Sequence, residues 1–191
     1  RIKGKVIPVT YTDTNLSARY EDGHVVSEEH LIDEPEHDGK LTIQDVFLSP
    51  EAQATPEAIE AIGQADLIVL GPGDLYTSLI PNLLVNGIPQ ALIKTKATVV
   101  YVLNLMTKYG QTYQYTAVDH MNALERYVGR HVDTVLVNTA SIPDRALSVY
   151  AKSHEVPVVD NLIAGSPYQV HQADLIGSTL VMKSKSDALV R

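Results

Sequence analysis

The chain reads as an α/β protein of Rossmann-like type, a parallel sheet with helices on both faces, extended at its N-terminal end by a β-hairpin region. Three observations carry this reading. Short apolar runs alternate with helical segments between residues 67 and 159, the pattern of a sheet built from strand-helix-strand units. The run 67–70 is continuously apolar and 97–103 is interrupted only by Thr98, as strands buried on both faces are. The first of them breaks into Gly71-Pro72-Gly73, a tight turn ahead of an amphipathic segment.

At 191 residues the chain suffices for one α/β domain with a full core. Residues 1–191 are expected to form that domain, with 1–50 as its β-rich hairpin extension. Apolar residues make up 45% and charged residues 20%, which places the chain with globular rather than disordered proteins. Its net charge of -8, with no basic run, argues against a nucleic-acid partner. The absence of cysteine removes thiolate catalysis and Cys-based zinc sites, and fits a cytoplasmic protein. No apolar stretch approaches membrane-spanning length, so no membrane span is expected. The chain opens on Arg1 and runs straight into strand-like residues, which reads as the later part of a longer protein.

Taken in order, residues 5–11 are rich in β formers and read as a strand. Residues 16–20 and 24–28 flank Glu21-Asp22-Gly23, a hairpin turn. The acidic stretch 33–39, broken by Pro35 and Gly39, reads as a solvated loop rather than a metal site. A further strand is expected near 41–48. Thr55, Pro56 and Glu57 open a helix that Gly63 closes. Residues 75–80 read as helical up to Pro81, and 88–95 as a second short helix. After strand 97–103 comes a Tyr-rich loop, 108–115. Thr116 and Asp119 then have capping-box spacing at the head of a helix reaching Gly129, with Ala117, Met121, Leu124 and Val128 on its apolar face. Strand 134–137, helix 143–152 and strand 156–159 complete the alternation, and 174–182 reads as helix.

If strands 67–70, 97–103, 134–137 and 156–159 are parallel, the residues just past them share the carboxyl edge, where open α/β sheets bind ligands. These are Gly71 to Asp74, Asn104 to Thr107, Asn138, Thr139, Asp160 and Asn161. Hydroxyls, amides and backbone N–H groups dominate, which suits a polar, phosphorylated small molecule. No Ser-His-Asp order or G-x-S-x-G elbow appears, so no catalytic residue is assigned. The candidate ligand-binding residues are Gly71, Pro72, Gly73, Asp74, Tyr76, Thr77, Ser78, Asn82, Asn104, Thr107, Asp119 and His120. Several have a structural alternative: Asp74 as a helix N-cap, Asn104 as a turn closer, Asp119 as the capping-box acid, and His120 as a packed residue. Tyr109, Tyr113 and Tyr115 could stack on a base or form a plain surface loop. The seven histidines include no H-x-x-x-H pair, and no metal ligand is assigned.

Four stretches together resemble the gluconeogenesis-factor (YvcK-like) family, a relative of the 2-phospho-L-lactate transferase (CofD-like) group. They are Gly71-Pro-Gly-Asp-Leu-Tyr-Thr-Ser78, Pro81-Asn-Leu-Leu84, Val99-Val-Tyr-Val-Leu-Asn-Leu-Met-Thr107 and Tyr115-Thr-Ala-Val-Asp-His120. The shorter segments Pro8-Val-Thr10, Leu16-Ser-Ala18, Asp22-Gly23 and His171-Gln-Ala-Asp-Leu-Ile176 are also similar. The resemblance implies a cytoplasmic, non-enzymatic regulator that binds a nucleotide sugar such as UDP-N-acetylglucosamine and is tied to carbon metabolism, cell-wall morphogenesis and cell shape. Homo-oligomerisation stays open.

The sister branch implies a transferase using a guanine nucleotide donor with Mg, and a third alternative is a non-catalytic scaffold for a protein partner. Two departures from the family pattern stand out. Its N-terminal Gly-Gly-Gly-Thr-Gly turn is not in these residues, and Ser usually stands where this chain has Asp74, which sets a negative charge beside the expected phosphate position. The transferase branch's Gly-Pro-Ser-Asn-Pro loop is replaced here by Gly71-Pro-Gly-Asp-Leu75, which favours the first branch.

Overall fold

Hairpin chemistry builds the first sheet. In the computed structural model, which describes residues 3–163, 166–177, 180–182 and 188–190, β1 (Asn15–Tyr20) and β2 (Val25–Ser27) pair antiparallel across a turn. Gly23 supplies the positive φ, +88°, which that turn needs. After α1 (Glu29–Asp33), β3 (Ile43–Ser49) joins the other edge of β1, giving the order β2-β1-β3. The strand expected at 5–11 does not form. Its backbone instead serves the next helix: the Thr55 hydroxyl donates to the Pro8 carbonyl at 2.8 Å, and Thr55 N–H donates to Val9 at 2.9 Å. Pro8 has no N–H to give a ladder.

Thr55 caps α2 (Pro56–Gln64), accepting from Ala58 N–H at 3.1 Å. β4 (Leu67–Leu70) follows, then a π-helical turn (Leu75–Leu79) running into α3 (Ile80–Leu83). Pro81 therefore does not end the helix. It lies in the first turn of α3, where its missing N–H costs nothing. Next come α4 (Ile88–Lys94), β5 (Thr98–Val102), α5 (Ala117–Val128), β6 (Thr134–Asn138) and α6 (Asp144–Tyr150) with a trailing 3₁₀ turn (Ala151–Ser153).

The parallel sheet has the order β4-β5-β6-β7 and is flanked by helices. Its last strand differs from the expectation: β7 is Gln169–Ala173, not 156–159. Gln169, His171 and Gln172 are exposed on this edge strand and only Val170 packs inward, so β7 carries no apolar run to announce it. At the opposite edge, Leu67 and Val69 are 57% and 51% exposed although their run looked wholly buried. The tail is also corrected. Residues 174–177 are irregular, and β8 (Leu180–Met182) pairs antiparallel with β9 (Ala188–Val190) in place of a helix, while 178 and 179 lie outside the described residues.

One apolar cluster joins the two sheets. Leu16, Ala18, Tyr20 and Val46 of the antiparallel sheet meet Leu75 and Ile80, then Met121 and Leu124 of α5, then Val99, Tyr101 and Val135 of the parallel sheet. Burying each large member is worth about 1.5–3 kcal/mol. This packing holds the end of α1 and the loops after β4 and β5 in fixed relation.

Candidate functional site

Past β4 the chain turns at Gly71, whose φ of +92° suits glycine alone. A Cβ there would also press the Val102 carbonyl at 3.2 Å. Gly73 presents its carbonyl to the Asn104 side chain, whose Nδ2 donates at 2.9 Å. The Asn104 Oδ1 in turn accepts the Tyr101 hydroxyl at 2.9 Å. Burial pushes that phenol well above its ordinary range, so it stays a neutral donor. Asn104 thereby joins the loops that follow two adjacent strands.

Asp74 starts the π-helical turn through its carbonyl, which accepts from Ser78 N–H at 2.9 Å and Leu79 N–H at 3.0 Å. π-Turns are uncommon and gather at functional sites. The expected side-chain N-cap is not made. The Asp74 carboxylate lies instead 4.0 Å from Lys108 Nζ, because the loop after β5 brings that ammonium under it.

Lys108 is the organising charge. Its Nζ lies 3.3 Å from Asp33 Oδ1 at the end of α1. Burial pulls its pKa down, but the carboxylates of Asp74, Asp33 and Glu155 outweigh burial and hold it above the ordinary lysine value. Asp33 Oδ1 also accepts from Gln111 Nε2 at 3.0 Å, and the same Nε2 lies 3.2 Å from Thr77 Oγ1. Gln111 is 1% exposed, so this buried network ties α1, the π-turn and the loop after β5 together.

A cavity of about 700 Å³ opens here, lined by Pro72, Gly73, Asp74, Asn104, Thr107 and Lys108, with Asp33, Glu34, Glu155, Tyr109 and His154 completing its polar wall. The Tyr109 ring lies over Gly39, where a Cβ would collide with it, and 5.2 Å from the His154 ring. Four carboxylates and one lysine line the space, so an anionic group entering it would have to displace a carboxylate from the Lys108 ammonium.

Segment 156–158, expected in the parallel sheet, packs instead along residues 105–107 beside this cavity. Thr107 N–H donates to Val156 at 2.8 Å, Val158 N–H donates to Leu105 at 3.0 Å, and Met106 and Pro157 form an antiparallel bridge. Beyond it lies a second cavity of about 400 Å³, which shares Leu103, Asn104 and Leu105 with the first and adds Asn138, Asp144 and Asp160.

The predicted residues thus divide. Pro72, Gly73, Asp74, Asn104 and Thr107 meet at the larger cavity, with Gly71 at the head of the same loop. Thr107 is 2% exposed, and its hydroxyl accepts Val156 N–H at 3.0 Å. Thr77 and Asn82 line a third cavity of about 440 Å³ behind the π-turn, with Val9, Thr10 and Glu28. Ser78 is exposed, and its carbonyl accepts Asn82 Nδ2 at 2.8 Å. Tyr76 is buried, its hydroxyl 3.1 Å from that of Tyr115. Asp119 completes the capping box, accepting Thr116 N–H at 2.8 Å.

His120 is fully buried with Nδ1 2.9 Å from the Thr116 carbonyl, and its Nε2 has no hydrogen-bond partner. Lys108, Asp33 and Gln111 were missed. Lys108 directly follows the Asn104 to Thr107 edge and was within reach of that argument. Asp33 and Gln111 lie in segments that point to the site only once folded. Among the described residues no group of three or more His, Cys, Asp or Glu side chains could hold a metal ion.

A Rossmann-like parallel sheet with a pinned Gly-Pro-Gly loop and a polar crevice at its carboxyl edge defines the class, an α/β protein with an open cavity at the edge where such sheets hold ligands. The chain belongs to the CofD family: the family model described as 2-phospho-L-lactate transferase CofD matches residues 1–176.

Among named relatives, it is 45% identical over 159 residues to the gluconeogenesis factor of Bacillus subtilis (strain 168), covering 82% of this chain and 49% of that protein. A Thermotoga maritima relative is 41% identical over 180 residues, 91% of this chain and 56% of its own. The crystal structure of a UPF0052 family member from Bacillus halodurans matches with a TM-score of 0.85 and 36% identity, over 93% of this chain and 57% of that one. The chain spans about half the length of the curated relatives it matches.

Proposed function

We propose that this chain forms one wall of a nucleotide-sugar site in a cytoplasmic gluconeogenesis factor, with UDP-N-acetylglucosamine as the type of ligand and control of carbon metabolism and cell-wall morphogenesis as the role. The observation that carries the reading is Lys108, held charged by its carboxylates at the wall of a 700 Å³ cavity beside the Gly71 to Asp74 loop. A diphosphate exchanging places with Asp33 or Asp74 on that ammonium would gain a charge-assisted hydrogen bond. The loop's glycines let backbone approach it closely. Binding rather than turnover is favoured because the sequence carries neither a Ser-His-Asp order nor a G-x-S-x-G elbow. Calorimetric titration of the full natural chain with UDP-N-acetylglucosamine tests this. A Kd of micromolar order, about -8 kcal/mol, is expected, and the absence of both heat and thermal shift would overturn the reading.

The match to the CofD family model supports a second reading, a transferase that moves a phospholactyl group from a guanylated donor to a deazaflavin precursor. The Mg ion that this reading brings fits poorly. Asp33 and Asp74 face Lys108, and no three-acid group able to hold a metal occurs among the described residues, so no step is derived through the ion. Transfer to a deazaflavin acceptor by the full chain would establish this second reading in place of the first.

A further inference from the structure

The two neighbouring cavities at the carboxyl edge differ in chemistry. The larger contains the Lys108 ammonium. The smaller, about 400 Å³, is lined by no Lys, Arg or His among the described residues. Its walls are mixed, with Leu103, Leu105, Ile142, Leu147 and Val158 supplying aliphatic surface beside the polar groups. Its polar groups are the Asp144 and Asp160 carboxylates with the side chains of Asn104, Asn138 and Ser141. An anionic group placed there would meet two carboxylates and no cation, so desolvation and repulsion both exclude it.

A pyranose ring has the opposite character. Its C–H face packs on aliphatic side chains, and its hydroxyls donate to carboxylates. The cavities share Leu103, Asn104 and Leu105. Asn104 is held by Tyr101 and Gly73, which fixes the boundary between them.

Resting on the nucleotide-sugar reading, we propose that the site has two compartments divided at Asn104, with the diphosphate at Lys108 and the neutral, hydroxyl-bearing sugar ring in the cavity between β5, β6 and α6. Specificity for the sugar then resides in α6 and the segment 156–158, not in the Gly-Pro-Gly loop. Asp144 is exposed at the start of α6 and Leu147 is half-buried one turn on. Both can be replaced without opening the main core.

The test is calorimetry of the full natural chain with UDP-N-acetylglucosamine and with UDP, for the unmodified protein and for Asp144→Ala and Leu147→Trp, which respectively remove an acceptor and fill the cavity. The unmodified protein should bind the sugar nucleotide more tightly than UDP. Each variant should weaken UDP-N-acetylglucosamine about tenfold, the loss of one good polar or packing contact, and leave UDP unchanged. Circular dichroism and thermal melting of each variant separate loss of fold from loss of contact.

Equal loss for both ligands overturns the assignment of the sugar, as does loss for UDP alone, which would place the base there. Unchanged affinities in both variants, or equal binding of the two ligands by the unmodified protein, overturn the compartment while leaving the nucleotide-sugar reading intact. If neither ligand binds the unmodified protein, that reading falls and the compartment with it.

Discussion

Asn104 donates its side-chain amide to the Gly73 carbonyl at 2.9 Å while accepting the Tyr101 hydroxyl at the same distance. One side chain thus fixes the loop after β4 to the loop after β5 and gives a fully buried phenol its partner. Replacing it by alanine orphans that hydroxyl and releases Gly73. Asn104→Ala should cost about 1–3 kcal/mol in urea unfolding. Tyr101→Phe should cost less, and the double variant should fall short of the sum because both act on one bond. Strict additivity would show that the pair is not coupled.

Lys108→Met leaves the Asp33 and Asp74 carboxylates facing one another without their cation. All three side chains are partly exposed, at 31%, 40% and 28% for Asp33, Asp74 and Lys108, so solvent screens them and the fold should lose no more than about 1 kcal/mol. Ligand binding should suffer more. Loss of a charge-assisted bond to phosphate corresponds to about 1.5–3 kcal/mol, roughly 10- to 150-fold in Kd. Titration with UDP would show it, and an unchanged Kd would remove Lys108 from the site.

His120 ties stability to pH. Burial holds its pKa below the ordinary histidine value, against the opposing pull of the Thr116 carbonyl and Asp119. His37 is lowered as well, by burial and by the neighbouring His24. The unfolded chain therefore binds more protons than the folded one just below pH 6.5. The stabilisation is complete above that value and is lost as pH falls toward the depressed folded pKa values. The slope is at most about 1.4 kcal/mol per pH unit for each extra proton bound by the unfolded chain. Denaturant midpoints measured from pH 7.5 down to 5 should fall, and His120→Phe should flatten the curve. A flat curve for the unmodified protein would contradict the buried neutral imidazole.

The capping box at the head of α5 separates a structural role from a binding one. Asp119 accepts Thr116 N–H at 2.8 Å, and Thr116 Oγ1 lies 3.4 Å from Asp119 N. Thr116→Ala should destabilise the protein by about 0.5–2 kcal/mol. Asp119→Ala should likewise lower the melting temperature while leaving the Kd for UDP-N-acetylglucosamine unchanged. A selective loss of binding at unchanged stability would return Asp119 to the ligand.

How much of this was legible depended on whether the signal was local. The hairpin at Glu21 to Gly23, the Thr55 and Thr116 caps and the strands at 67–70, 97–103 and 134–137 follow from turn chemistry, capping residues and apolar runs, all of which act within a few residues. The Gly71 to Asp74 loop and Asn104 were placed at one edge by the same reasoning, since parallel strands bring their carboxyl ends together. Residues 156–159 have the composition of a strand yet pair with 105–107 as the crevice wall. The polar edge strand Gln169–Ala173 takes the expected place instead. Composition points to 156–159, and it cannot show that the polar segment is the one that reaches the edge of β6.

By itself the sequence determined the α/β class, most element positions, and the meeting of the Gly-Pro-Gly loop with Asn104 at one edge of the sheet. Only the tertiary structure decided the rest. It turned Asp74 from a helix cap into a partner of Lys108, drew Asp33 from 75 residues away onto the same ammonium, and divided the carboxyl edge into a cavity that holds a lysine and one lined by carboxylates without a cation among the described residues. These are contacts between segments distant in the chain. They are set by how the shared core orients α1 and the two loops, and no local pattern encodes that orientation.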